Sequence, residues 1–267
     1  MNKAGGIKEA LISLLKCALY FGLWYGISTI VTSVVTSAIT VSNPASTPTA
    51  ILEKFMPYAT GVSALSGILF VILCSFLYRS KGCTLFERTR IKPVKASLIY
   101  HSILFGASFV FVINLMLFAL EYVLPASWYT SFEDNSVFGM GNQMIEMLSV
   151  CVVAPIYEEI LFRGLIAKKL QSIMPSWFAL ILSSLLFGAL HNGMIGFIYA
   201  TICGGIMCLI YFKTGSLVPG ILFHVAFNTT STLVSGTTIP IFVFVLTTIV
   251  TIAELIYLFI TYRGFKK

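Results

Sequence analysis

Apolar runs recur along almost the whole chain and are separated by short polar segments. A helix that crosses the hydrocarbon core of a bilayer needs about 20 apolar residues, because its backbone polar groups must be satisfied within the helix itself. Eight stretches approach or exceed this length. They lie at residues 10–34, 58–78, 96–120, 141–162, 177–193, 196–212, 216–235 and 239–261. The sequence therefore predicts an all-α polytopic membrane protein, a bundle of about eight transmembrane helices that forms a single integral-membrane domain over residues 1–267.

The composition leaves too few polar residues for a soluble domain outside the membrane. Hydrophobic residues make up 58% of the sequence and charged residues only 10%, whereas a soluble domain carries about 25% charge. A formal net charge of +7 can indicate nucleic-acid binding, but no soluble surface remains to hold a duplex. We therefore expect the lipid bilayer as a partner and exclude nucleic acid. The six cysteines show no metal-binding or redox spacing.

The basic residues indicate which way the chain crosses the membrane. They cluster near the amino terminus, between residues 79 and 95, at 168–169, at 213 and at the carboxyl terminus, whereas residues 121–138 contain three acids and no base. With eight spans, all of these clusters fall on one side, together with both termini. Because basic loops stay in the cytoplasm, we predict that both termini and the 79–95 loop are cytoplasmic. The short loops favour a bacterial plasma membrane.

Polar and ionisable residues interrupt three of the apolar stretches. An ionisable group at that depth costs several kcal/mol unless it is paired or lines a wet cavity, so it marks a functional site by default. The residues are Glu158, Glu159 and Arg163 in APIYEEILFRGL, His191 in FGALH, and His224 and Asn228 in HVAFN. Pro155 precedes the two glutamates and removes one backbone hydrogen bond, which predicts a kink and a freed carbonyl group one turn before them.

The two adjacent glutamates must face different ways. Residues four apart share a helix face, so Arg163 faces Glu159 and not Glu158. The simplest interpretation of that pair is an ion pair that neutralises itself, as buried charges must. Glu158 is then left without a partner on its own helix, and an unpartnered buried carboxylate is suited to act as a general base.

The two histidines each allow a purely structural interpretation. His191 could be a hydrogen-bonded structural residue, and His224 with Asn228 could be a polar pair that holds helices together. The spacing argues for a common site. Glu158 and His191 are equally far from the turn at residues 174–175, roughly 25 Å along each helix. His224 lies roughly 15 Å from the turn at 213–215, on the same side, so we expect these residues to share one layer between helices 4, 5 and 7.

The motifs EEILFR, FGALH and HVAFN, in this order and spacing, resemble the CPBP family. This family comprises the type II CAAX prenyl endopeptidases and the bacteriocin-processing proteins and is also called the Abi family. The resemblance covers about residues 155–230, within a family-like core at about 140–235. It implies an intramembrane endopeptidase, a hydrolase that acts on a peptide or a lipidated protein. By that resemblance Glu158 activates water, Glu159 and Arg163 support it, and His191, His224 and Asn228 complete the catalytic set.

The resemblance leaves the cofactor open, because the family is classed with the metalloproteases. His191 and His224, with Glu158 and Asn228, could hold a catalytic Zn²⁺ that keeps one position open for water. Asparagine is a poor zinc ligand, however, and a metal-free mechanism with glutamate-activated water fits nearly as well. The zinc mechanism and the metal-free mechanism therefore both remain open.

Two other classes of protein remain possible on the sequence alone. A non-catalytic membrane binder, such as a bacteriocin-immunity protein, could use the same scaffold. A transporter could use buried Glu and His as a proton relay, but it should show paired broken helices in two related halves, and the polar residues here concentrate in the second half. His101, Asn114 and Glu146 match no motif, and Glu254 lies in the eighth stretch without an evident partner.

Overall fold

The computed structural model describes residues 3–129 and 139–262, without the side chains of residues 3–6. Over these ranges the secondary structure is helical, without a strand. The helices are α1 (Lys3–Ser42), α2 (Pro48–Phe55), α3 (Ala59–Arg79), α4 (Leu85–Thr89), α5 (Ala96–Glu121), α6 (residues 143–171), α7 (Ser176–Gly188), α8 (Gly193–Thr214), α9 (Val218–Val234) and α10 (Ile241–Thr261). The predicted all-α architecture is confirmed.

Within the described residues, five helices are long and apolar enough to cross a membrane. They are Ile7–Ser42, Pro48–Arg79, Ala96–Glu121, Gly193–Thr214 and Ile241–Thr261. The apolar helices α7 and α9 have 13 and 17 residues, roughly 20 and 25 Å at 1.5 Å per residue. They are therefore shorter than a hydrocarbon core of about 30 Å. The polytopic class is confirmed, while the count of eight spans stays a prediction.

Helix α6 carries the first motif and alternates between α-helical and π-helical turns. It runs as α-helix Gln143–Leu148, π-helix Ser149–Val153, α-helix Ala154–Glu159, π-helix Ile160–Ala167 and α-helix Lys168–Gln171. The first π segment ends at Val153, two residues before Pro155. The Ala154 N–H donates to the Ser149 carbonyl, and Pro155 has no N–H to offer. The Val150 carbonyl therefore receives a hydrogen bond from neither of its nearest helical donors.

Helix α5 packs along both α9 and α10, α7 packs against α8, and α1 packs against α3. Gly106 permits a close approach between α5 and α9, because a Cβ at this position would lie 2.2 Å from the Phe223 carbonyl oxygen. Only glycine fits there. The approach fixes the position of α9, which carries the third motif, against the centre of the bundle.

The predicted cytoplasmic loop at residues 79–95 folds over one end of the bundle. It contains α4, which begins at a capping box formed by Thr84 and Glu87. Its backbone then bonds to neighbouring elements: the Leu217 N–H donates to the Arg90 carbonyl at 3.0 Å, and the Ser216 hydroxyl donates to the Lys92 carbonyl at 3.0 Å. These contacts join α4 and the loop to the turn between α8 and α9.

Candidate active site

The ion pair expected on α6 is present and completely buried. Arg163 Nη1 lies 2.7 Å from Glu159 Oε1, and both residues have 0% exposure. Arg163 also donates from Nη2 to the Gly204 carbonyl at 3.1 Å. Its guanidinium lies 4.3 Å from the centre of the Phe187 ring, a distance at which cation–π attraction is effective. The pair therefore ties α6 to both α7 and α8.

His224 lies between the two glutamates. Its Nδ1 is 3.3 Å from Glu159 Oε1, and its Nε2 is 3.8 Å from Glu158 Oε2. A carboxylate only accepts hydrogen bonds, so the contact with Glu159 places the ring proton on Nδ1. Glu158 has no ion-pair partner on its own helix, as the spacing indicated, but the structure supplies one from α9.

His191 lies just beyond the end of α7 and not within a helix. The sequence predicted a span to residue 193, whereas α7 ends at Gly188 and a turn leads into α8. His191 Nδ1 lies 3.0 Å from the Phe187 carbonyl. A carbonyl only accepts, so Nδ1 is the protonated nitrogen and Nε2 of the neutral ring is the proton acceptor. The hydrogen bond to the Phe187 carbonyl thus fixes the tautomer of His191 and leaves Nε2 able to accept a proton or a hydrogen bond.

Asn228 donates a hydrogen bond to the Val150 carbonyl, which the π-helical turn and Pro155 leave without a helical donor. Its Nδ2 donates to the Val150 carbonyl at 2.8 Å. The freed carbonyl predicted before the glutamates is therefore capped by the third motif, across 78 residues of sequence. An amide nitrogen carries two hydrogens, so this contact uses one of them. Asn228 fixes α9 to α6 and retains a donor.

Four of the six predicted site residues line one cavity of about 500 Å³: Glu158, His191, His224 and Asn228. Glu159 and Arg163 do not line it and lie in the packed wall behind Glu158 and His224. The structure thus divides the predicted set into four residues that line the cavity and a buried ion pair that does not. Helices α6, α8 and α9 contribute to the cavity wall, as do α3 and α5.

The cavity residues outside the predicted site include Asn114, Tyr157 and Phe187. The Tyr157 ring fits against α3 because Gly67 has no Cβ, which would lie 2.0 Å from the ring. Its hydroxyl is 3.1 Å from the Ser63 hydroxyl. Phe187 is 2% exposed and touches the ring of His191 at 4.8 Å and of His224 at 6.0 Å between centroids. Its position four residues before His191 was the available sequence signal.

Two further buried carboxylates have partners away from the cavity. Glu146 is 1% exposed and accepts hydrogen bonds from Gly139 N–H at 2.8 Å and Gly141 N–H at 2.6 Å. Glu254 Oε2 lies 2.9 Å from His101 Nδ1, and the His101 ring stacks on Tyr257 at 3.7 Å. Both carboxylates therefore hold neighbouring parts of the fold together and lie outside the cavity.

Replacing Glu254 by Leu should lower the free energy of unfolding by about 0.5–1.5 kcal/mol, because it removes the hydrogen bond to the partly exposed His101 ring. Turnover should not change, since neither residue lines the cavity. Denaturation in detergent measures the first quantity. The double variant His101→Phe with Glu254→Leu is the control and should recover part of the loss. A single variant that loses turnover but keeps its stability would contradict this assignment.

The described part of the chain contains no group of three or more His, Cys, Asp or Glu side chains arranged to hold a metal ion. His224 also directs both of its ring nitrogens at carboxylates. A catalytic zinc site uses three protein ligands and one open position, and the arrangement around Glu158 does not fit that pattern. We therefore assign no chemical step to a metal, and zinc binding stays a prediction that metal analysis can test.

Together the fold and the cavity define a polytopic membrane protein with a polar, ionisable centre enclosed by apolar helices. The model of the family described as type II CAAX prenyl endopeptidase Rce1-like matches residues 140–230. This segment contains all six predicted site residues, and the match identifies it as Rce1-like, which confirms the resemblance seen in the motifs. No curated protein and no solved structure matches the chain.

Proposed function

We propose that this chain is an intramembrane endopeptidase of the CAAX-protease and bacteriocin-processing type, which hydrolyses a peptide bond with water activated by Glu158. The observation that carries the proposal is one cavity lined by a carboxylate, two imidazoles and an amide. The match to the Rce1-like family supports the same reaction class. The substrate class that follows is a peptide or lipidated protein that reaches the cavity from the membrane.

In the proposed reaction Glu158 accepts a proton from a water molecule in the cavity while the water oxygen attacks the peptide carbonyl. The tetrahedral intermediate carries negative charge on the former carbonyl oxygen. The free donor of Asn228 can stabilise this charge, and one such donor is worth about 10²–10³ in rate. Glu158 then returns its proton to the leaving amine as the carbon–nitrogen bond breaks.

The buried Glu159–Arg163 ion pair orients a residue of the site and does not itself touch the substrate in this proposal. Glu159 accepts from His224 Nδ1 and is itself held by Arg163, so the imidazole keeps one tautomer and one orientation. This arrangement presents Nε2 toward Glu158, 3.8 Å away. A carboxylate that orients an imidazole serves the same purpose in other hydrolases. Glu159 and Arg163 are therefore positioning residues in this proposal.

The direct test is cleavage by purified protein in proteoliposomes, assayed by mass spectrometry on a peptide library that includes prenylated C-terminal peptides. We expect hydrolysis at a defined bond of at least one library member. Absence of any cleavage by folded protein, together with unchanged binding of a membrane peptide after Glu158→Gln, would instead support a non-catalytic binder.

A separate prediction distinguishes the metal-free mechanism from a zinc mechanism. Cleavage should persist in the presence of chelators. His191→Ala and His224→Ala should each lower the rate by about 10²–10⁴, the usual cost of losing a group that takes part in proton transfer, because each removes an imidazole from the cavity wall. Metal analysis of the purified protein and the variants provides the second measurement. One equivalent of zinc, absent from both variants and able to restore activity after chelation, would replace the metal-free mechanism with a zinc mechanism.

A further inference from the structure

The loop at residues 79–95 carries positive charge that the protein does not neutralise. It contains six Lys and Arg residues and one acid, Glu87. Glu87 is engaged in the capping box of α4, where it accepts from the Thr84 N–H and hydroxyl at 2.8 and 2.9 Å. In the part of the chain that the structure describes, none of the six basic residues forms an ion pair with a carboxylate. The loop therefore presents cations that an external anion can neutralise.

Three consecutive backbone carbonyls at Arg88, Thr89 and Arg90 accept hydrogen bonds from neighbouring elements. Lys168 of α6 donates to the Arg88 carbonyl. The Tyr211 hydroxyl of α8 donates to the Thr89 carbonyl at 3.2 Å, and Thr89 itself is 0% exposed. The Arg90 carbonyl accepts from a backbone N–H in the turn before α9 at 3.0 Å. The backbone that carries the two arginines is thus held in place by the fold.

Arg90 has a backbone conformation that normally selects glycine. It ends α4 with φ 60° and ψ 38°, and it is the one non-glycine residue with a positive φ among the residues described. A left-handed residue at a helix end is usually glycine, because a Cβ there crowds the following carbonyl oxygen. Arginine therefore occupies a position where glycine would be less strained, and such an outlier is a ground for assigning its side chain a function. That side chain is exposed.

Lys168 adds a third positive charge beside the two arginines. It lies near the end of α6, beyond the predicted span at residues 141–162, and its side chain is half-buried. Burial, followed by the nearby charges of Arg90 and Arg88, lowers the pKa of Lys168 to about 8. The three cations therefore lie within electrostatic reach of one another, although 80 residues separate Lys168 from Arg88. A bound anion would relieve their mutual repulsion.

The cluster of Arg88, Arg90 and Lys168 lies where the chain leaves the membrane. Residues 80–95 join α3 to α5, and both helices belong to candidate membrane spans. Phe86 of α4 is 58% exposed, and an exposed aromatic ring beside basic side chains is typical of segments that lie in the membrane interface. Basic side chains just outside a spanning helix bind anionic headgroups, and a guanidinium group matches the oxygens of a phosphate in bidentate geometry.

We propose that Arg88, Arg90 and Lys168 form a binding site for a phosphate group, that of an anionic phospholipid at the membrane surface. The two guanidinium groups donate to the phosphate oxygens, and the Lys168 ammonium group, which also donates to the Arg88 carbonyl, adds the third charge. The bound lipid connects α4 with α6, the helix that also carries Glu158. This inference does not depend on the proposed function.

Thermal unfolding of the purified full-length chain in neutral detergent tests the site without requiring activity. The chain is titrated with phosphatidylglycerol, phosphatidylcholine or inorganic phosphate, because a ligand that binds the folded state raises the unfolding temperature with its concentration. Phosphatidylglycerol should raise that temperature in a saturable manner, and the other two should not at the same concentration. Arg90→Gly and Arg88→Gln should each weaken the apparent affinity at least about tenfold, since each removes charged hydrogen bonds to the phosphate.

Arg90→Gly separates binding from folding, because glycine relieves the left-handed strain. Its unfolding temperature without lipid should equal or exceed that of the wild-type chain. Arg79→Gln is the matched control: Arg79 is an exposed cation at the end of α3 and is not among the charges that lower the pKa of Lys168. It should keep wild-type affinity.

Equal weakening by Arg79→Gln and Arg90→Gly would show diffuse attraction to the loop and would overturn the site. Wild-type affinity in both Arg90→Gly and Arg88→Gln, or no response of the wild-type chain to phosphatidylglycerol, would overturn it as well. If inorganic phosphate stabilises the wild-type chain as strongly as phosphatidylglycerol does, the assignment to a lipid is wrong.

Discussion

Replacing Glu158 by Gln should abolish peptide cleavage while leaving the protein folded. The substitution keeps the shape of the side chain but removes its ability to accept a proton from water. Loss of a general base lowers a rate by about 10²–10⁴. The distance from Glu158 to His224 is 3.8 Å, which is longer than a hydrogen bond, and Gln keeps the shape of the side chain, so the protein should lose little stability. Turnover per folded molecule in proteoliposomes is the measurement.

The matched control is Glu254→Leu, which alters a second buried carboxylate outside the cavity. Its turnover should equal that of the wild-type chain. Wild-type cleavage by Glu158→Gln would remove the general-base assignment. A protein that works only by binding would show a different pattern, because its binding of a membrane peptide would survive Glu158→Gln unchanged.

Replacing Arg163 by Ala should unfold much of the protein as well as stop the reaction. The change strands the Glu159 carboxylate at 0% exposure and removes the contacts with Gly204 and Phe187. Breaking a buried ion pair by deleting one partner costs about 3–5 kcal/mol. Denaturant titration in detergent should show this loss, and Lys169→Ala on the same helix should show almost none.

The double variant Glu159→Gln with Arg163→Met separates stability from activity. Without a stranded charge it should regain much of the lost unfolding free energy. Cleavage should remain low, because His224 would lack the carboxylate that orients Nδ1. Arg163→Ala with wild-type stability would show that solvent reaches the pair, against its complete burial here.

The features that sequence predicted best are local ones. The Glu159–Arg163 pair followed from residues four apart on one helix, and the membrane class followed from apolar length. The His101–Glu254 pair could not be predicted, because 153 residues separate its members and the sequence does not say which helices are neighbours. The partners of Glu146 could not be predicted for a related reason: they are backbone N–H groups in the preceding loop, which carry no residue-specific signal.

The position of His191 shows why helix ends are hard to predict. Apolar residues continue past the point where α7 stops, so hydropathy alone extends the span to residue 193. The helix ends at Gly188 and meets α8 closely there, because a Cβ on Gly188 would lie 2.1 Å from the Thr201 hydroxyl. Tertiary packing sets this boundary, and it moves His191 from a helix face to a turn.

The π-helical turn at Ser149–Val153 has a consequence for how this protein can change over generations. A π turn is an α-helix with one extra residue. Loss of a single residue from it would restore an ordinary helix and shorten by one residue the run of chain before Glu158. The Val150 carbonyl would then be displaced from Asn228, which donates to it here at 2.8 Å. We therefore expect insertions and deletions in this segment to be poorly tolerated, because the length of chain between Asn142 and Glu158 is as much a part of the site as the side chains themselves.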